Sequence, residues 1–179
     1  MVAQRRFTGR PASLSSVDSV TFDLVPPDSA DGLAALRAYF ADILGRFRGR
    51  PASDAEVDEL LAEDPLDGLA PPAGVFVLAT VNGRVAGCAG LRLQDGGFAE
   101  AKRVYVYPHA RGRGLARAVM AHLEELATAH GRTALRLDTH SDLTEARSLY
   151  AALGYRETAA FNDNPYAHHW FVKDLRSRG

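Results

Sequence analysis

Tyr107-Pro108-His109-Ala110-Arg111-Gly112-Arg113-Gly114-Leu115-Ala116 carries the chain from a β-branched, aromatic run through a glycine-bearing turn and directly into a helical stripe. Upstream of the turn, Val104, Tyr105, Val106 and Tyr107 favour a strand. Downstream, Leu115, Val119, Leu123 and Leu126 recur at helical spacing, flanked by Ala116, Met120 and Ala127, until Gly131 ends the helix. A helix start exposes backbone N–H groups that lack intrahelical partners and carries a partial positive charge. Glycines let an anion approach those groups closely, and Arg111, Arg113 and Arg117 add positive charge beside them. The expected ligand is a phosphorylated molecule. Its chemistry is not that of an NTPase or a dehydrogenase, because the Lys-Ser/Thr pair of a Walker loop and a complete G-x-G-x-x-G fingerprint are both missing. Taken alone, Arg-Gly-Arg-Gly also reads as a solvated turn that merely opens a helix.

Working outward, residues 98–107 form the strand that feeds the turn, after a break at Asp95-Gly96-Gly97. Before it, the apolar runs 75–81 and 85–93 are joined by Asn82-Gly83, a dipeptide that accepts positive φ at low cost, so they read as a hairpin. Leu33, Leu36, Phe40, Ile43, Leu44 and Phe47 predict an amphipathic helix, with Asp31 as its cap. A second helix is expected over residues 54–62, opened by a Ser53/Glu56 capping box. A short strand at 20–25 stops at Pro26-Pro27. Beyond Gly131, residues 134–139 read as a buried strand. Asp142 with Glu145 caps a helix whose face carries Ala146, Leu149, Tyr150 and Leu153, and a last strand is expected over 168–175. Residues 1–19 show no period and read as a flexible N-terminal leader, which leaves 20–179 as one domain. The order is that of a mixed α/β layer structure.

Composition narrows the function classes. With 46% hydrophobic and 24% charged residues, the chain has the balance of a soluble globular protein. A net charge of −1 provides no global field for nucleic acid or anionic lipid, so any anion site is local. No segment approaches about 18 uninterrupted apolar residues, and no signal-peptide stretch follows Arg5, Arg6 and Arg10. The one cysteine, Cys88, has no disulfide partner within the chain, which fits a reducing, cytoplasmic setting. It lies inside an apolar strand, where a small core residue is the commoner reading and a covalent nucleophile the rarer one. His168 and His169 are adjacent on a strand and point to opposite faces, so no metal is assigned.

Two motifs now converge. Arg111, Gly114 and Ala116 match the Q/R-x-x-G-x-G/A acyl-CoA motif of the GNAT superfamily of N-acetyltransferases, between strand and helix as in that family. Ala146-Arg-Ser-Leu-Tyr150-Ala-Ala-Leu-Gly154-Tyr155 resembles the family's A-x-x-x-Y-x-x-x-G-F/Y segment. The resemblance spans about residues 75–175; residues 33–72 carry no diagnostic motif. Many members have Asn where this chain has Leu143. The resemblance implies a GNAT-like fold with a central, mostly antiparallel sheet and helices on both faces. It implies acetyl-CoA as acyl donor, its pyrophosphate held by Arg111, Gly112, Arg113, Gly114, Leu115, Ala116 and Arg117, and its pantetheine arm by the backbone of Val104, Tyr105 and Val106.

The implied reaction, attack of an amine on a thioester, needs a base, because an alkylammonium has a pKa of about 10. Glu100 stands where some family members carry a general-base Glu; the plainer reading is a solvated strand carboxylate paired with Lys102 or Arg103. Asp95, Asp138 and Asp163 are alternatives. Tyr150 resembles the tyrosine that protonates the departing thiolate, although its stripe also suits packed core. His140 and the loop 162–166 are candidates to line the acceptor pocket. The expected acceptor is a small-molecule primary amine. A protein N-terminus or lysine is the nearest enzymatic alternative, and a CoA-binding regulatory module without turnover the alternative from another class. No nucleic-acid or membrane partner is expected, and proteins of this resemblance commonly form homodimers.

Overall fold

Asn82 and Gly83 take φ of 50° and 81° and turn β2 (Gly74–Val81) back onto β3 (Arg84–Leu93) as an antiparallel hairpin. A computed structural model describes residues 19–63 and 66–176. The expected leader, residues 1–19, lies outside these except for Ser19, which donates its N–H to Asn82 Oδ1 (3.1 Å). Among the described residues, seven strands form one sheet in the order β1-β2-β3-β4-β5-β7-β6. β1 (Val20–Leu24), β4 (Phe98–Val106), β5 (Ala134–Thr139), β6 (Arg156–Thr158) and β7 (His169–Asp174) complete it. β4 and β5 are parallel and the other neighbouring pairs antiparallel.

Among the described residues, four α-helices accompany this sheet: α1 (Ala30–Arg48), α2 (Asp54–Glu63), which packs on α1, α3 (Leu115–Ala129) and α4 (Thr144–Ala152). On one face, Val77, Ala89, Leu91, Ala99, Leu135 and Leu137 pack against Leu115, Val119 and Leu123 of α3. On the other, Phe76, Leu78, Cys88 and Tyr105 pack against Ala35 and Leu36 of α1. The expected architecture, a mostly antiparallel sheet with helices on both faces, is the one observed.

Local details differ from the sequence reading in three places. Ser29, not Asp31, caps α1: its Oγ accepts from Gly32 N–H (3.2 Å), and Asp31 sits inside the first turn, where a carboxylate favours the helix dipole. Asp142 does not cap α4, which starts from Leu143 with no side-chain bond; the Asp142 N–H instead donates to His140 Nδ1 (3.2 Å). β6 carried no readable signal, since its three residues are too few to show a period. The Ser53/Glu56 capping box forms as expected, with Ser53 N–H donating to Glu56 Oε2 (2.8 Å) and Glu56 N–H to Ser53 Oγ (3.4 Å).

Where the sheet opens matters most. β4 pairs with β5 only at Phe98, Ala99 and Glu100, opposite Ala134, Leu135 and Arg136. Past that point β4 stays with β3, and β5 goes on pairing with β7. Arg103, with φ of 54°, and Val104 both stand between the paired positions Lys102↔Gly90 and Tyr105↔Cys88, which is a bulge. The extra residue bends β4 and shifts its alternation, so Glu100, Lys102 and Tyr105 all face the α1 side. The two strands part, and the C-terminal half of β4 keeps only its β3 partner.

Candidate active site

The turn after β4 is built to leave backbone amides available. Pro108–Ala110 forms a single 3₁₀ turn, and Gly112 and Gly114 then take φ of 74° and 81°. Gly114 is the N-cap of α3 and supplies no side-chain bond, and no acidic residue occupies the first turn. The first α-helical bond runs from Ala118 N–H to Gly114 O (3.2 Å), so the amides of Leu115, Ala116 and Arg117 precede any partner in their own helix. A Cβ placed on Gly112 would meet nothing within 4 Å. The helix start is thus open, uncapped and flanked by exposed Arg113 and Arg117. Arg111 is differently engaged: its Nε donates to Val106 O (2.9 Å) and one terminal nitrogen to Asp42 Oδ1 (2.9 Å), tying the turn to β4 and α1.

A cavity of about 810 Å³ adjoins the parting of β4 and β5. Lys102, Arg103 and Val104 of β4, Asp138 and Thr139 of β5, and Tyr150 of α4 line it. α1 closes it with an apolar wall that includes Tyr39, Phe40 and Phe47. His140 and residues 164–166 also line it, as expected for a pocket wall.

Tyr150 is 7% exposed and packs its ring against Tyr155 (5.9 Å) and Phe171 (5.8 Å). Core packing and cavity lining are therefore both true of it. Its hydroxyl has no hydrogen bond among the described residues, and burial raises its pKa far above the ordinary phenol value, with Tyr39 and Asp138 adding to the shift. The proton stays on the oxygen at every physiological pH.

Glu100 is 1% exposed, so a solvated strand carboxylate is not what the fold makes of it. Lys102 Nζ (2.7 Å) and Asn162 Nδ2 (3.1 Å) donate to Oε1, and Gln94 Nε2 (2.7 Å) to Oε2. It is absent from the cavity wall. Asp138 is on that wall, with Oδ2 accepting from Lys102 Nζ (3.1 Å) and Asn162 Nδ2 (2.6 Å), and Oδ1 from Asn164 Nδ2 (3.2 Å). Trp170 Nε1 holds Asn162 Oδ1 (2.9 Å). These groups form one buried network, with the lysine shared between two carboxylates. The sequence reading paired Glu100 with Lys102 as a solvated surface pair, and did not identify Asn162 and Trp170 as parts of the network. The period-2 placement of 100 and 102 on β4 and of 136 and 138 on β5 was the available signal, but it needed the pairing of Glu100 with Arg136 to become a cluster.

Cys88 is fully buried, and burial pushes its thiol up to about 12, which suppresses the thiolate a covalent route requires. His168 Nδ1 lies 2.9 Å from Ser141 Oγ and His169 Nδ1 2.6 Å from Glu157 Oε1, so the two rings serve different partners. Among the described residues no group of three or more His, Cys, Asp or Glu could hold a metal ion, and no helix is long and apolar enough to cross a membrane.

Residues 37–155 match the Acetyltransferase (GNAT) family. The chain is 34% identical over 113 residues to an IAA acetyltransferase of Azospirillum brasilense, covering 63% of this chain and 71% of that one. It is 30% identical over 134 residues to the N-acetylaspartate synthetase of Rattus norvegicus, covering 72% of this chain but 42% of that longer protein. A Klebsiella pneumoniae structure assigned as an acyl-CoA N-acyltransferase superposes with a TM-score of 0.67 at 26% identity, covering 87% of this chain and 97% of the other. An open helix start after β4, a parted β4–β5 pair and a match over residues 37–155 lead to one conclusion: the chain belongs to the GNAT family of acetyltransferases.

Proposed function

We propose that this protein transfers an acetyl group from acetyl-CoA to a primary amine on a small molecule, by direct attack of the amine. The observation that carries the reading is the place of three features along β4: the gap between β4 and β5, the cavity beside that gap that reaches Tyr150, and the uncapped start of α3 that follows the strand. The amides around 112–117 have the polarity and access that a diphosphate needs, with Arg113 and Arg117 beside them. The edge of β4 turned away from β3 over Val104, Tyr105 and Val106 is where an extended pantetheine arm would pair as an added strand does, with Val106 O shared with Arg111 Nε. Bound acetyl-CoA supplies the activated acetyl group.

The chain's own residues then manage protons. An acceptor arriving as R–NH3⁺ releases one proton before attack. A second leaves the nitrogen as the new C–N bond forms and the C–S bond breaks. Asp138, on the cavity wall, is the nearest acceptor of the second proton, directly or through water. Glu100 lies behind it, joined through Lys102 and Asn162, and is the second carboxylate of the base system. Tyr150 O–H donates to the departing sulfur and is recharged from solvent. The sum is amine plus thioester giving amide plus thiol. The names of the relatives, an IAA acetyltransferase and an N-acetylaspartate synthetase, support a small acceptor.

The test has two parts. Acetyl-CoA should raise the melting temperature of the full chain, because a ligand of the native state alone stabilises it. An amine panel should then release free thiol. An unmoved melting temperature at millimolar acetyl-CoA defeats the proposal.

A further inference from the structure

The acceptor end of the cavity is chemically lopsided. Four cationic side chains line it, Arg48, Arg92, Lys102 and Arg103, against two carboxylates, Glu63 and Asp138. Three of the four cations have work inside the fold. Arg48 pairs with Glu56, Lys102 bridges Glu100 (2.7 Å) and Asp138 (3.1 Å), and Arg103 lies over the rings of Tyr39 (5.7 Å) and Phe40 (5.3 Å). Arg92 is the exception. Its side chain is 33% exposed, and its nearest carboxylate oxygen among the described residues is Glu100 Oε2 at 3.9 Å, outside hydrogen-bond reach. That oxygen already accepts from Gln94 (2.7 Å). Among the described residues, the Arg92 guanidinium makes no hydrogen bond.

The side chain is nonetheless held in place. Arg92 sits opposite Glu100 in the β3–β4 register. A Cβ on Gly68 would stand 2.6 Å from its Nε, so the short turn at Leu66–Leu69 packs directly on the guanidinium plane's edge. A guanidinium presents a planar fork of donors that matches a carboxylate. Tyr39, Phe40, Ile43, Leu44, Phe47 and Leu60 meanwhile make the opposite wall apolar.

We propose that the acceptor is an amine that also carries a carboxylate on an apolar body, as a hydrophobic amino acid does, and that Arg92 receives the carboxylate. This rests on the acetyl-transfer reading above. Asp138 faces the amine while Arg92 holds the carboxylate borne on the same carbon, so the same contact that selects the molecule orients its nitrogen. The two charges of a zwitterion meet groups of opposite sign along one wall, and the apolar body lies against α1.

Matched acceptors test it: phenylalanine, phenylalaninamide and phenethylamine, with tryptophan and tryptamine as a second pair. Thiol release with acetyl-CoA is measured for the full chain and for Arg92→Gln and Arg92→Lys, and binding of the same acceptors is measured by calorimetry without turnover. A charge-assisted pair of this kind predicts a preference of about tenfold or more in kcat/KM for the carboxylated member. Arg92→Gln should raise KM for that member by about as much, with little change in kcat and a much smaller change in the phenethylamine parameters. Arg92→Lys should recover part of the loss. An acceptor series indifferent to the carboxylate, an Arg92→Gln effect equal on all acceptors, or a panel that neither binds nor reacts overturns the proposal. Indifference with thiol still released leaves acetyl transfer standing. Carboxylate binding that depends on Arg92 without thiol release keeps the subsite and removes acetyl transfer.

Discussion

Tyr150 and Asp138 divide the proton work proposed for this site, and each makes a separate demand on kinetics. Burial keeps the Tyr150 hydroxyl protonated, so its use is as a donor to the leaving sulfur. Tyr150→Phe is expected to lower kcat by about a hundredfold or more while acetyl-CoA affinity is retained, since the ring packing survives and only the proton is lost. Equal turnover in the variant would return Tyr150 to the core alone. Asp138→Asn should lower kcat by about a hundredfold or more, because the acceptor of the second proton is lost. Glu100→Gln should lower kcat less, because Glu100 reaches the cavity only through Lys102 and Asn162. A larger loss of kcat in the Glu100 variant than in the Asp138 variant reverses the two roles. Both motif positions were legible as residues. What they touch was not: Glu100 looks like a surface carboxylate in a strand reading, and only pairing on both sides buries it.

At the scale of elements, α3 has two jobs that its sequence separates by position. Its stripe of Leu115, Val119 and Leu123 fixes the helix against the sheet, and its first turn is left without a cap. The same helix would be better capped by Ser or Asp in place of Gly114, but a side-chain oxygen there would occupy the amides proposed for the phosphates. Gly112→Asp tests this directly, since the site has open space and Asp tolerates positive φ better than most residues. Acetyl-CoA should bind about tenfold or more weakly because a carboxylate now faces the diphosphate, with only a small change in melting temperature. A variant that binds as well as the parent would detach the turn from the donor. Hairpin, capping box and helix stripes were readable because each is a local pattern. The caps of α1 and α4 were misplaced by one or two residues: Ser29 Oγ takes the Gly32 N–H, and α4 starts from Leu143 without a side-chain cap.

For the whole molecule, buried titratable groups set an alkaline limit. The Cys88 thiol rises from an ordinary 9.0 to about 12 on burial, and the Tyr150 hydroxyl shifts in the same direction. Both pKa values are higher in the folded chain, so above about pH 9 the unfolded chain binds fewer protons than the folded one. Their contribution to stability is complete below the unfolded values and is lost as pH rises through the folded ones. The melting temperature should fall progressively above about pH 9, and Cys88→Ala should shallow that fall. A flat profile to pH 11 in the parent would place the thiol in contact with solvent.

From the amino-acid order alone came the layer class, the hairpin, the glycine turn and the tyrosine helix, because each depends on residues within about one helical turn or one hairpin of each other. Tertiary structure alone decided where β4 leaves β5, how Glu100, Lys102, Asp138, Asn162 and Trp170 come into one network, and which arginine faces the cavity without a hydrogen bond. Those facts join residues from Arg92 to Trp170 on four different strands and a loop, and strand register, which no local pattern encodes, brings them within reach.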